Sequence, residues 1–375
     1  MVGYLVSLII FTATFALFSL GLNLQWGFTG LINFGHVAFL TLGAYTTVLL
    51  SLQGVPLLVA TIAGACVAAL LGLLIGLSTL RLREDYLAIV TIGVSEVIRL
   101  IALNEEWLTR GARGVYSYPL PLEALTRPTL ATKLGMIGIW TAIFGLAGWQ
   151  IWKWLRQQSA REKGLSIAKL FWGVVALLLG LMLYSAGAIA LYDYSFKAGL
   201  MLLLVAVLAL VYWRLEVSTR SPWGRVLKAI REDEEVAKAL GKNVFWYKLQ
   251  ALMLGGAIAG IAGAFYAWQL SFINPDGFVP LLTFQAWTIV VLGGAGNNAG
   301  TILGAVIFWA YSSLTRYLPE LLRLVHSAIP IVPASVDEAR LGAFRIMVIG
   351  LLLIGLMMLR PQGILGKKEE LTLGR

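Results

Sequence analysis

Few side chains in this 375-residue chain are of types that do chemistry, and their spacing points to ion pairing and recognition, not bond making. Glu96 and Arg99 stand at i, i+3 in an apolar run, close enough on a helix to pair on one face. A charge at mid-bilayer costs about 2.5 to 3.5 kcal/mol on insertion scales, so this pair should face other helices or water. The first reading of Glu96 is a structural ion pair and the second a substrate ligand, while Arg99, nearer the helix end, could instead snorkel. His36 sits among glycines and His326 is far from it in sequence, neither at metal-ligand spacing. Cys66 is the lone cysteine, so neither an intrachain disulfide nor a thiolate metal cluster can form. No G-x-x-x-x-G-K-[ST] phosphate loop is present, and no nucleophile is arranged with a base. An enzyme is a poor fit, and no metal or cofactor is expected in this chain.

Two glycine-rich stretches carry the other polar groups inside apolar surroundings. The first, Asn23 to His36, holds Gly27, Gly30, Asn33, Gly35 and His36; the second, Val290 to Thr301, holds Gly293, Gly294, Gly296, Asn297 and Asn298. A break in a membrane helix exposes backbone groups that lipid cannot satisfy, so it is tolerated only against protein or a watery path. These ten residues are therefore the candidate lining of a translocation path. Half-helix N-termini can donate to a carboxylate, with Asn33, Asn297 and Asn298 either contributing to a zwitterion site or capping the breaks. Residues Gly27 to Gly35 and Gly293 to Gly304 are alike in spacing and polarity, which suggests a weak internal repeat.

The longest polar segment, Glu216 to Tyr247, must be positioned against these breaks. Ser221 before Pro222 reads as an N-cap with proline at the first helical position, and Gly241 as a left-handed stop. Between them one amphipathic helix is expected, with Val226, Ile230, Ala237 and Leu240 on the apolar face and Glu232, Asp233, Glu234, Glu235 and Lys238 mostly elsewhere. A solvated basic loop is the plainer alternative.

The elements around these groups follow from composition. With 59% hydrophobic residues, 13% charged and a mean hydropathy of +0.83, the chain is not an ordinary globular domain. It reads as an all-α integral membrane protein, a polytopic helical bundle of about 8 to 10 spans with broken or re-entrant helices. Residues 1–375 form one transmembrane domain. Expected spans include 56–80, 86–103, 133–152, 170–190, 197–213, 249–270 and 341–359. Eight basic residues between 214 and 248 and five between 153 and 169 place both loops in the cytoplasm, with the tail from Arg360 on the same side. The net charge of +10 is therefore read as loop asymmetry and not as a nucleic-acid footprint. The charge-balanced stretch 104–132, irregular and rich in Gly and Pro, is expected outside, as are 312–340 and the Asn274 to Gly277 turn. Residues 1–80 carry no Asp, Glu, Lys or Arg, and counting back from the Arg81 to Asp85 turn puts the N-terminus outside if three spans precede it. An even number of crossings must separate 248 from the tail, so 281–312 either enters and returns at membrane depth, the favoured reading, or makes two short crossings. Small residues from Gly255 to Ala264 mark a helix packed inside the bundle, and Trp140, Trp149, Trp152, Trp154 and Trp172 an aromatic belt.

Taken together, these motifs resemble a family. The run Leu80-Arg81-Leu82-Arg83-Glu84-Asp85-Tyr86-Leu87-Ala88-Ile89-Val90-Thr91, continuing to Glu96 and Arg99, is similar to a stretch of LivM-type permeases of branched-chain and neutral amino acid ABC importers. So are Gly27-Phe28-Thr29-Gly30, Asn33-Phe34-Gly35-His36, Gly43-Ala44-Tyr45-Thr46, Gly293-Gly294-Ala295-Gly296 and Leu359 to Gly366. Glu235-Val236-Ala237, with Gly241 four residues after the alanine, resembles the E-A-A-x-x-x-G signature that docks into a groove of the ATP-hydrolysing subunit. The resemblance thus implies that Arg231, Glu232, Asp233, Glu235, Ala237 and Gly241, in a coupling loop at 214–248, couple to that subunit. It also implies a second homologous, LivH-like permease, two LivG- and LivF-like subunits that bind the ATP and Mg, and an external solute-binding protein. The implied place is the bacterial cytoplasmic (inner) membrane, and the implied cargo a small-molecule amino acid carried inward. The sequence departs from the family in the two arginines of Thr109 to Gly114 and in a longer, more basic tract at 150–170. A permease for urea or short amides is the alternative within this class. An ion-coupled secondary transporter is the alternative outside it, although no acidic residue lies near Gly27 or Gly293.

Overall fold

The computed structural model describes residues 2–80, 84–123, 128–161, 167–315 and 338–366. In chain order its helices are α1 (Val2–Leu22), extended by a π-turn Asn23–Gly27, α2 (Val37–Leu52), α3 (Leu57–Thr79), α4 (Glu84–Asn104), α5 (Glu106–Thr109), α6 (Leu130–Arg161) and α7 (Ile167–Asp193). Then come α8 (Phe196–Arg220), α9 (Pro222–Glu232), α10 (Glu234–Ala239), α11 (Val244–Leu270), α12 (Leu281–Gly293), α13 (Asn298–Leu314) and α14 (Glu338–Leu359). Among the described residues seven helices are long and apolar enough to cross a membrane, and Val37–Leu52 is apolar but shorter. At 16 residues α2 reaches about 24 Å, short of the bilayer core of about 30 Å. The expected turn at 81–83 and parts of the basic tract, of the 312–340 loop and of the tail lie outside the described residues.

The chain divides into two compact units, Met1–Phe11 with Leu120–Leu210, and Thr12–Pro119 with Val211–Arg375. In the first, α6 and α7 pair around Trp140, which is fully buried, packs on Phe144 and donates from Nε1 to the carbonyl of Tyr184 at 3.2 Å. Trp140 is thus a core residue and not the belt residue expected; Gly187 opposite it leaves the space its ring occupies. Trp149 is exposed, as a belt residue should be.

The second unit is built on α2, α3 and α11. Lipid tails are as apolar as leucine, so close van der Waals approach must hold such helices together. A Cβ on Gly43 would lie 2.1 Å from the carbonyl oxygen of Gly260, and one on Gly263 2.1 Å from that of Leu40. The small residues of 255–264 therefore form the packing face expected of them.

At the end of this unit where α11 finishes, the stretch after α4 is more ordered than its Gly and Pro content suggests. A two-residue strand β1 (Val115–Tyr116) pairs antiparallel with β2 (Phe272–Ile273), Val115 opposite Ile273, and Tyr118 donates its hydroxyl to the carbonyl of Ala267. Arg99 reaches the same place. Its Nε and Nη2 bond Glu96, and its Nη1 bonds Asp276 Oδ1 at 3.0 Å, so it pins the 275–277 turn to α4 instead of snorkelling. Arg99→Leu should therefore lower the thermal midpoint of the detergent-purified protein. The cost is about 1 kcal/mol, below the usual range for charged hydrogen bonds because Asp276 is exposed. Arg99→Lys should recover part of it, since one ammonium cannot reproduce the fork.

Candidate functional site

The polar segment is two helices and not one. Asp233 adopts extended backbone (φ −155°, ψ 111°), ends α9, and accepts from the backbone N–H groups of Glu235 at 2.9 Å and Val236 at 3.0 Å. An aspartate that caps the next turn competes with continuation of the first helix, and here the cap prevails. Gly241, at φ +74°, stops α10 as expected. The break resets the helical phase. Ile230, Ala237 and Val244 still form a buried cluster with Val226 and Tyr247 against it, but Leu240 is 70% exposed and Val236 54%. Leu240 is therefore not on the buried face. Glu232, Asp233, Glu235 and Gly241 are also exposed, whereas Ala237 is buried and Arg231 half-buried.

Several bonds fasten the segment to the bundle. Trp223 Nε1 donates to Gln250 Oε1 at 2.7 Å, and Lys248 Nζ on α11 pairs with Glu234 at 2.5 Å. Burial pushes the Glu234 carboxyl up, but hydrogen bonds from Lys248 and Lys238 outweigh it and hold the group below the usual carboxylate range. A depressed folded value means that this contribution to stability is complete above the ordinary carboxylate range and is lost as pH falls through the lowered one. Arg231 Nη1 donates to the carbonyl of Gly27, the last residue of the π-turn on α1.

That last contact places the glycine breaks. Gly27 and the 296–298 turn meet at the end of the bundle that carries the polar segment, while the first break runs back along α1 from there: His36 reaches the carbonyl of Phe18, and Val37 N–H donates to Thr283 Oγ1 near the start of α12 at 2.9 Å. Asn23 Oδ1 accepts from the N–H of Gly296 at 2.9 Å, Asn23 Nδ2 donates to Asn298 Oδ1 at 3.3 Å, and Trp26 packs on Trp287 with centroids 4.3 Å apart. α12 starts beside the 275–277 turn, and α13 returns packed along it, Gly293 against Gly300 and Gly304 against Ile289, so 281–314 is a helical hairpin whose tip lies beside Glu216. The asparagines cap and bridge. Asn33 accepts from Gly35 N–H and donates to Gln25; Asn297 accepts from Gly300 N–H and donates to the carbonyl of Leu365. Asn298 Nδ2 donates to Glu216 Oε2 at 3.2 Å. Gly293 backs onto Gly300 of α13 and Gly294 onto Gln362 and Gly366, while the N–H groups of Ile364 and Leu365 donate to the carbonyls of Leu292 and Gly293. His36 is fully buried, stacked on Phe18 and bonded through Nε2 to its carbonyl, a packed residue. A cavity of about 260 Å³ lies against Trp26, Gly30, Ile32, Ile230, Arg231 and Ala295, where both breaks meet α9. Sequence reasoning passed over Asn23, Gln25 and Glu216; the two amides were the available signal, being polar in a stretch of 80 residues without charge.

Residues 4–359 match the family model described as the branched-chain amino acid transport system permease component. The chain belongs to this permease family. It is 30% identical over 357 residues to the high-affinity branched-chain amino acid transport system permease protein LivM of Salmonella typhimurium, covering 94% of this chain and 68% of that one. The LivM of Escherichia coli K12 matches to the same extent. A probable LivM of Methanocaldococcus jannaschii is 29% identical over 164 residues, 44% of this chain and 45% of that one. No solved structure matches. Permeases of this family are multi-pass membrane proteins and work with ATP-binding and substrate-binding components. Among the described residues of this permease no group of three or more His, Cys, Asp or Glu side chains is placed to hold a metal.

Proposed function

We propose that this permease carries branched-chain or other neutral amino acids inward across the bacterial cytoplasmic membrane, driven by ATP hydrolysis on separate subunits. It pairs with a second, LivH-like permease, takes its cargo from an external solute-binding protein, and rests on two LivG- and LivF-like subunits that hold the ATP and Mg. The chain supplies no ATPase site of its own. The observation that carries the reading is the placement of the polar segment, which turns Glu235, Val236 and Leu240 outward while Arg231 holds the end of α1 at Gly27. A segment fastened in this way passes displacement to both glycine breaks, since they are bonded to each other through Asn23. Alternating access then follows from motion delivered at the cytoplasmic end, with the breaks as the moving joints.

The test is uptake into proteoliposomes with a competition panel of branched-chain amino acids, other neutral amino acids and urea. ATP-dependent uptake competed by leucine, isoleucine or valine, together with co-isolation of ATP-binding subunits in mild detergent, supports the reading. Competition by urea alone would reassign the substrate, and accumulation by the purified chain alone in ATP-free vesicles would replace the mechanism.

A further inference from the structure

We propose that Glu216, Asn298 and Asn23 form a side-chain relay which makes the two glycine breaks follow the polar segment, so that Asn23 and Asn298 are positioning residues and not substrate ligands. This rests on the functional reading above and assigns its transmission to named atoms. Glu216 lies one turn before the end of α8, next to the start of α9. Its Oε1 takes the guanidinium of Arg220, and its Oε2 accepts from Asn298 Nδ2 at 3.2 Å. Asn298 Oδ1 accepts from Asn23 Nδ2 at 3.3 Å, and Asn23 Oδ1 accepts from the N–H of Gly296 at 2.9 Å. Both ends of each amide thus have a protein partner, and Asn23 and Asn298 are buried, which suits them to holding the breaks together.

The backbone is shaped around this chain of bonds. A Cβ on Gly27 would lie 2.0 Å from Asn23 Oδ1 and 2.5 Å from the nitrogen of Gly296, so only glycine lets Asn23 pass between the breaks. One carboxylate at the head of the chain also sets its polarity: each amide donates toward Glu216 and accepts from the side away from it. That direction can be reversed by design.

Asn298→Asp sets a second carboxylate against Glu216, while Asn298→Asp combined with Glu216→Gln restores the pairing with the donor on the other side and the same net charge. Each form is assembled with its ATP-binding subunits in proteoliposomes, and radiolabelled leucine uptake and ATP hydrolysis are measured together. In Asn298→Asp leucine carried per ATP should fall about tenfold with hydrolysis within about twofold of wild type, an ordinary coupling free energy, and the double variant should recover most of the loss. Gly27→Ala, whose methyl displaces Asn23 Oδ1 without deleting a hydrogen-bonding group, should uncouple in the same sense. Parallel loss of uptake and hydrolysis in Asn298→Asp, unchanged uptake, or no recovery in the double variant overturns the relay. Wild-type vesicles that hydrolyse ATP without accumulating leucine strike the functional reading itself.

Discussion

Leu240→Asp is expected to abolish ATP-driven uptake while leaving the bundle folded. Leu240 and Val236 are apolar, exposed and four residues apart, so they share one face at the tip of the polar segment. Burying a leucine side chain in a partner's groove is worth about 1.5 to 3 kcal/mol, and a carboxylate there would lose that and carry its own desolvation. At about 1.4 kcal/mol per tenfold, the ATP-binding subunits should be held at least roughly tenfold more weakly. Substitution of an exposed side chain usually changes stability by no more than about 0.5 kcal/mol, so the thermal midpoint of the isolated permease should stay put. Co-isolation of the subunits and uptake report the first effect, and thermal unfolding in detergent the second. Retained co-isolation with Leu240→Asp would remove the tip from the docking surface. Glu235→Arg, at a side chain 83% exposed and paired with Lys238, should act in the same direction but less strongly, through charge alone.

The other large effect belongs to the core of the second unit. Gly43→Val should prevent accumulation of folded protein, because its Cβ would sit 2.1 Å from the carbonyl oxygen of Gly260 and backbone cannot step aside as a side chain can. Overpacking a core costs about 1 to 3 kcal/mol when side chains can adjust, and here α2 and α11 would have to separate, so the upper end or beyond applies. Small-residue contacts carry the association of helices in lipid, and parting them along one seam forfeits contacts along its whole length. Gly72→Ala, whose Cβ would meet Leu252 O at 3.0 Å, should cost less, and Gly138→Ala, with nothing within 4 Å, should be silent. Fluorescence-detected size exclusion of tagged variants orders the three. Equal yields for Gly43→Val and Gly138→Ala would contradict the packing.

Much of this permease was legible in its sequence for local reasons. Apolar length gave the spans, small residues at 255–264 marked the packing helix, Gly241 marked a helix stop, and the i, i+3 spacing of Glu96 and Arg99 foretold their bond. Each depends on residues within a few turns of one another, where helix geometry sets the distance. The family motifs added the class of transporter, because they sit in order along nearly the whole chain.

Only the tertiary structure decided what the distant groups do. Whether Asp233 would interrupt a helix or ride on it was a contest between a side-chain cap and one more turn, and its outcome turned Leu240 from core to surface. Trp140 could be belt or core until Gly187 was placed across from it. Arg99 could snorkel until Asp276, 177 residues away, came within reach. The breaks at 23–36 and 293–298 announce themselves by composition, but composition carries no depth coordinate. Their meeting beside the polar segment comes from Arg231 bonding Gly27 and Asn298 bonding Glu216, contacts between residues 204 and 82 positions apart that no local pattern encodes.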